Sequence, residues 1–127
     1  MAIVAKAPLS IVRQTCAVIA QCDLVLGIDS APVHIAGALE VPCIALYGPF
    51  PADLRTKYCP TTFALSGKGK CAPCFHHSNP GRSMSTQFPK GMPCEAVEHC
   101  VVLASISPSV IVNKVVKHAR KFNLVKE

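Results

Sequence analysis

An α/β fold, a parallel sheet flanked by helices, is what this 127-residue sequence predicts, and three observations carry the prediction. Between Asp23 and Gly48, two short apolar runs with β-branched members bracket a segment of helical pattern, which reads as a βαβ unit with parallel pairing and a right-handed crossover as the default. Trp is absent and aromatic residues are few, so the core must be aliphatic, as in sheets rich in Val, Ile and Leu. Half of the residues are hydrophobic and only 16% are charged, the composition of one globular domain, residues 1–127, with enough length for a real core.

Each element follows from local signals. Ser10 is an N-cap for a helix over residues 11–21, with Ile11, Val12, Thr15, Val18, Ile19 and Cys22 on one face and Arg13, Gln14 and Gln21 opposite. Residues 24–28 read as a strand buried on both faces. Asp29-Ser30-Ala31-Pro32 then offers helix-start chemistry: Asp29 or Ser30 can cap the free amides, and Pro32 is tolerated in the first turn. The helix over 33–40 is apolar nearly all round and so belongs inside a fold, Val41-Pro42 ends it, and residues 43–47 form a second buried strand. Residues 49–55 are a loop with one helical turn, and 61–65 a third strand.

The stretch 66–100 has little periodicity and much Gly, Pro, Ser and Lys, which is long for an ordinary connection. Residues 101–106 read as a further strand or a tight connection. Ser107-Pro108 starts a helix to residue 122, with Ile111, Val112, Val115, Val116, Ala119 and Phe122 on one stripe. Asn113, Lys114, Lys117, His118, Arg120 and Lys121 form the other. That basic face is either a solvated surface or a point of attraction to an anionic membrane surface. Residues 123–127 should fray.

The turn at Asp29 holds the chemical content. A helix N-terminus after a strand presents unpaired N–H groups and the positive end of the helix dipole, a site for phosphate. Small residues at Ser30 and Ala31 let a ligand approach the backbone, and His34 in the first turn can add a hydrogen bond. The competing reading makes Asp29 and Ser30 plain caps and His34 a packed helix residue. Arg55 and Lys57 likewise either face a diphosphate or are solvated charges.

Eight cysteines are many for a reducing compartment. Cys71-Ala72-Pro73-Cys74 can chelate one ion, and with Cys94 and Cys100 would make a tetrahedral zinc site. The second pair has wider spacing than usual, and His76, His77 or His99 can replace one thiolate. A structural zinc, free thiols and a disulfide or other cluster all stay open. A redox role is disfavoured, because the pair does not open a helix after a strand.

The run Asp29-Ser30-Ala31-Pro32-Val33-His34-Ile35-Ala36-Gly37-Ala38-Leu39, followed by Val41-Pro42-Cys43-Ile44-Ala45-Leu46-Tyr47-Gly48-Pro49, resembles the signature of glycosyltransferase family 9, the ADP-heptose:lipopolysaccharide heptosyltransferases. Asp29, Ser30, Pro32, His34, Ala36, Pro42, Tyr47, Gly48 and Pro49 fall in the family pattern, while Ala31 stands where Gly is common. The resemblance is specific over residues 10–50 and weaker to about residue 122. It covers only the C-terminal domain of such an enzyme, so Met1 is expected to be an internal start or boundary.

The resemblance implies a Rossmann-like nucleotide-sugar-binding domain, the C-terminal half of a GT-B glycosyltransferase. Its donor would be ADP-heptose or a similar nucleotide sugar, and its acceptor a glycan or the lipid A-core of lipopolysaccharide. Asp29, Ser30, Ala31, Pro32 and His34 would form the nucleotide-sugar site, with Ser30, Ala31 and His34 on the diphosphate and Asp29 ordering the turn. Transfer would be inverting, with no cofactor or divalent metal for catalysis. The family's general base, an Asp, belongs to an N-terminal Rossmann domain and no residue here matches it, so the isolated chain is expected to bind without turnover. A Cys-rich insertion similar to 66–100 also occurs in the family. The alternatives are a non-catalytic zinc-stapled or protein-interaction fragment, and a domain that uses a UDP-sugar.

Composition narrows the remaining classes. A net charge of +6 with five His counted neutral suits an anionic ligand or surface but is modest for nucleic acid. No segment reaches the length of a membrane span, and residues 1–9 lack a signal-peptide pattern. The expected location is the cytoplasm, peripheral to the inner membrane if the basic helix face is used.

Overall fold

The structure, a computed structural model, describes residues 11–73 and 100–123. Among them the elements are α1 (Val12–Ile19), β1 (Val25–Ile28), α2 (Ala31–Ala38), β2 (Cys43–Tyr47), α3 (Ala52–Thr56), β3 (Thr62–Ser66), α4 (Val101–Ala104) and α5 (Pro108–Lys121). The three strands form one parallel sheet in the order β1-β2-β3, as the βαβ pattern requires.

Register assigns the two faces. Val25 pairs with Cys43 and Cys43 with Thr62, while Leu26 pairs with Ile44 and Ile44 with Phe63. Partners in a parallel sheet share a face and side chains alternate along a strand. Val25, Cys43, Ala45, Tyr47 and Ala64 therefore line one face. Ile19 of α1, Val33 and Ala36 of α2, and Val41 pack on it to make the core. Leu26, Ile28, Ile44, Leu46, Phe63 and Leu65 line the other.

The central strand β2 is buried on both faces: Cys43, Ile44 and Ala45 are fully covered and Tyr47 is 1% exposed. β1 departs from expectation, because Leu26 is 50% and Ile28 51% exposed. The reason is position. β1 is the edge of the described sheet, and among the described residues helices cover only its Val25 and Gly27 face, so the alternate side chains, Leu26 and Ile28, point away from them.

α2 begins two residues earlier than expected, at Ala31, because Pro32 fits the first turn, where its missing N–H costs nothing. It is not buried all round: Val33, Ala36 and Gly37 are buried, but Ala38 and Leu39 are exposed. Its end is a Schellman motif. Glu40 takes a left-handed φ of 57°, its N–H bonds to Gly37 O at 3.2 Å, and Val41 N–H bonds to Ala36 O at 2.9 Å. Val41 and Ala36 are both in the core, which supplies the apolar contact that this motif favours.

α1 is shorter than its pattern. Ile11 occupies the N-cap position without a side-chain cap, Ile11 and Val12 are exposed, and only the second half of the helix reaches the core through Ile19. Ser10, the expected cap, lies outside the described residues. The apolar run at 101–106 forms the helical turn α4 rather than a strand. Cys100 sits at its N-cap and its sulfur accepts from Leu103 N–H at 3.5 Å, a local bond that a strand would not offer.

α5 starts as expected, with Ser107 accepting from Val110 N–H at 3.4 Å and Pro108 in the first turn. Its faces are rotated from the expected stripes. Val112 and Val116 are exposed, whereas His118, expected on the basic face, is buried. The ring finds what a solvated position could not give it: Nε2 lies 3.2 Å from Thr61 O, and the edges of Phe63 and Phe122 pack at centroid distances of 5.9 and 5.0 Å.

Close backbone approach joins α4 to the end of β3. A Cβ on Gly67 would overlap the Val102 carbonyl, which is backbone and cannot give way as a flexible side chain does. Gly67→Ala is expected to lower stability by roughly 2 kcal/mol through forced displacement of α4. Urea denaturation followed by circular dichroism checks this; an unchanged midpoint would show that the two segments are not locked together.

Candidate functional site

The carboxyl ends of β1 and β2 lie side by side, and the turn into α2 is fixed there by Asp29 N–H, which bonds to Leu46 O at 3.1 Å. Ligands of open α/β sheets bind at such ends. The side chains of this turn do not behave as the sequence suggests. Ser30 takes the N-cap position, but its hydroxyl donates back to Ile28 O at 3.1 Å and makes no cap bond. Asp29 does not cap either: Oδ1 is 2.9 Å from His34 Nε2, and Oδ2 is 3.7 Å from Arg55 Nε. The expectation that one of the two caps α2 is corrected, because each has a competing partner closer to hand.

The consequence falls on the backbone. Val33 and His34 N–H turn back to Ser30 O at 3.2 and 3.5 Å. Pro32 has no N–H to offer. The Ser30 and Ala31 amides find no acceptor among the described residues. Ser30 is half-buried, and Ala31 and Pro32 are exposed, so the corner is open to solvent. All five residues expected at the site, Asp29, Ser30, Ala31, Pro32 and His34, are therefore brought together here, with the amides as unfilled donors.

Arg55 and Lys57, each read as facing a diphosphate or as a solvated charge, separate. Arg55, in α3, pairs with Asp29 and lies over the Phe50 ring with its guanidinium carbon 4.7 Å from the centroid. Lys57 lies 5.3 Å from the centroid of Tyr58, a ring 84% exposed, and takes no part in the turn. Tyr47, read from the sequence as a strand residue and part of the family pattern, lies within reach of the Asp29 charge at this turn. Burial, then the Asp29 charge, pushes its phenol up to about 12. The signal that places it there is parallel pairing, which brings the end of β2 against the end of β1.

The cysteines divide by position. Cys43 is fully buried, and burial together with nearby Cys59 pushes its thiol up to about 11. Of the four expected zinc ligands, Cys71 and Cys100 are described, and Cys100 serves as the cap of α4. Cys74 and Cys94, with His76, His77 and His99, lie outside the described residues. Among those described, no group of three or more His, Cys, Asp or Glu side chains is arranged to hold a metal ion.

Both shifted groups are neutral when protonated, and folding holds their protons more tightly than the unfolded chain does. The ordinary values are 9.0 for Cys43 and 10.0 for Tyr47, so this contribution to stability is fully present below pH 9. It is lost as pH rises through about 11 and then about 12. Tyr47→Phe removes the later part. Thermal midpoints of the wild type and this variant, compared at neutral pH and above pH 10, should converge or cross as pH rises; a constant difference would contradict the assignment.

A sequence model of glycosyltransferase family 9 (heptosyltransferase) matches residues 4–84. The match takes in α1 to β3 and the whole turn between β1 and α2. No curated protein and no solved structure matches the chain. No helix among the described residues is long and apolar enough to cross a membrane.

Proposed function

This chain belongs to glycosyltransferase family 9, and from that premise we propose that the turn between β1 and α2 binds the diphosphate of a nucleotide sugar, an ADP-linked heptose or a related donor, for transfer to a glycan such as the lipid A-core. The observation that carries the reading is the pair of unfilled amides at Ser30 and Ala31, open to solvent at the N-terminus of α2. Such amides and the positive end of the helix dipole favour an anion.

The chemistry follows from what changes during transfer. As the bond between sugar and diphosphate breaks, negative charge grows on the departing phosphate. Donors already fixed in place meet that charge without rearranging, so they stabilise the transition state more than the bound donor. His34 adds to them. With its Nε2 turned to Asp29, Nδ1 is the ring atom left for a ligand, donating to a phosphate oxygen when the ring is charged and accepting from a hydroxyl when it is neutral.

Asp29 is not the acceptor's general base in this reading, since one oxygen is bonded to His34 and the other is buried. In this reading the base is a carboxylate of a preceding domain, as the family resemblance implies. The isolated chain therefore binds donor without turning it over.

Isothermal titration calorimetry of the chain with ADP, ADP-heptose and UDP tests the proposal. Saturable binding of the adenine nucleotides is expected, weaker for UDP, and His34→Ala should weaken it roughly tenfold, the worth of one hydrogen bond to a charged group. Absence of saturable binding by any of the three, or binding indifferent to the loss of His34, would overturn it.

A further inference from the structure

We infer that Asp29 is a bracket for an imidazole and a guanidinium, and that the second of them, Arg55, makes the site select a diphosphate over a monophosphate. The inference rests on the proposed anion site at the β1–α2 turn and adds to it a second contact from another element. One carboxyl group meets both side chains: Oδ1 is 2.9 Å from His34 Nε2 and Oδ2 is 3.7 Å from Arg55 Nε. Since they pair with the two oxygens of one group, imidazole and guanidinium are held side by side.

Exposure shows which partner is the support and which are the working ends. The Asp29 side chain is 11% exposed, whereas His34 is 40% and Arg55 37% exposed. The carboxylate is covered, and the imidazole and the guanidinium reach solvent.

The hold on Arg55 is also loose in a specific way. At 3.7 Å the contact is an ion pair without a hydrogen bond, and Asp29 Oδ2 is buried with no hydrogen-bond donor. The Phe50 ring supplies the rest of the support by stacking under the guanidinium. No hydrogen bond of the described chain uses the guanidinium's donors. Arg55 is thus oriented by charge and by a ring face, and keeps its fork for a ligand. A guanidinium fork matches phosphate geometry better than an ammonium does.

The division of labour follows from where the groups come from. The free amides and His34 belong to the β1–α2 side, and Arg55 belongs to α3. A single phosphate on the amides fills the first side. The second phosphate of a nucleoside diphosphate extends to Arg55. Lys57, two residues on in sequence, has no such placement, so proximity in the chain does not account for the role.

Calorimetric titration of the wild type, Arg55→Gln and Arg55→Lys with ADP and with AMP tests the assignment. The wild type should bind ADP more tightly than AMP. Arg55→Gln should lose roughly tenfold for ADP while AMP affinity is unchanged, so that the preference collapses, and Arg55→Lys should recover only part of it. Unchanged AMP binding also reports that the variant is folded. Equal losses for both nucleotides, or no loss for either, would overturn the inference while leaving the anion site intact. A wild type that binds neither nucleotide would overturn the site itself and this inference with it.

Discussion

The bond between Asp29 and His34 governs what the end of β1 can do. An aspartate ahead of a helix ordinarily turns its carboxylate onto the first free amides, and the helix end is then satisfied. Here the carboxylate is taken up by an imidazole one turn along and an arginine from α3. Ser30, the other residue able to cap, spends its hydroxyl on the Ile28 carbonyl. Two competing contacts, each local, leave the amides of Ser30 and Ala31 for a ligand. The helix gives up the stabilisation of a cap, about 1 kcal/mol, and keeps two open amides in its place, the feature on which the proposed anion site rests.

The sheet explains why that corner can hold still while its donors stay open. β2 is buried on both faces and is paired on both edges, and Asp29 N–H is tied directly to its last turn through Leu46 O. The turn therefore moves with the most buried strand of the molecule. On the opposite side, Gly27 lets α2 lie against β1, where a Cβ would come within 2.9 Å of Val33 Cγ1. A wider helix–strand gap would tilt the first turn of α2 and redirect both amides. Binding geometry at the corner is thus set by packing well below it.

Much of this was legible in the sequence because its signals were local. The β-branched runs at Val25–Ile28 and Cys43–Tyr47, the Pro at the first turn of α2 and the Ser-Pro start of α5 each act within a few residues, and each is where it should be. What was misread depended on partners far away in sequence. An apolar run cannot say whether both its faces will be covered, and Leu26 and Ile28 are uncovered because β1 lies at an edge. His118 looked like one more polar residue on a basic face until Thr61 and Phe63, more than fifty residues earlier, supplied its partners. The short apolar run at 101–106 carried strand propensity, but a cysteine cap and the close approach of Gly67, just past the end of β3, favoured a helical turn. The motif drew attention to the turn at Asp29, but not to the contacts inside it: a motif lists residue types, and cannot tell a capping aspartate from one that holds a histidine.

A carboxylate beside an anion site calls for an electrostatic account. Left alone, the Asp29 charge would oppose a diphosphate at short range and in a partly buried setting, where screening is weak. It is not alone: Arg55 lies beside it and matches its charge. The carboxylate is also the covered member of the group, while the two donors it holds face outward. In the proposed site an anion would meet the amides, the imidazole and the guanidinium before Asp29. The negative group is then an advantage, since it fixes two flexible side chains in the positions a ligand needs and removes the ordering cost from the binding step.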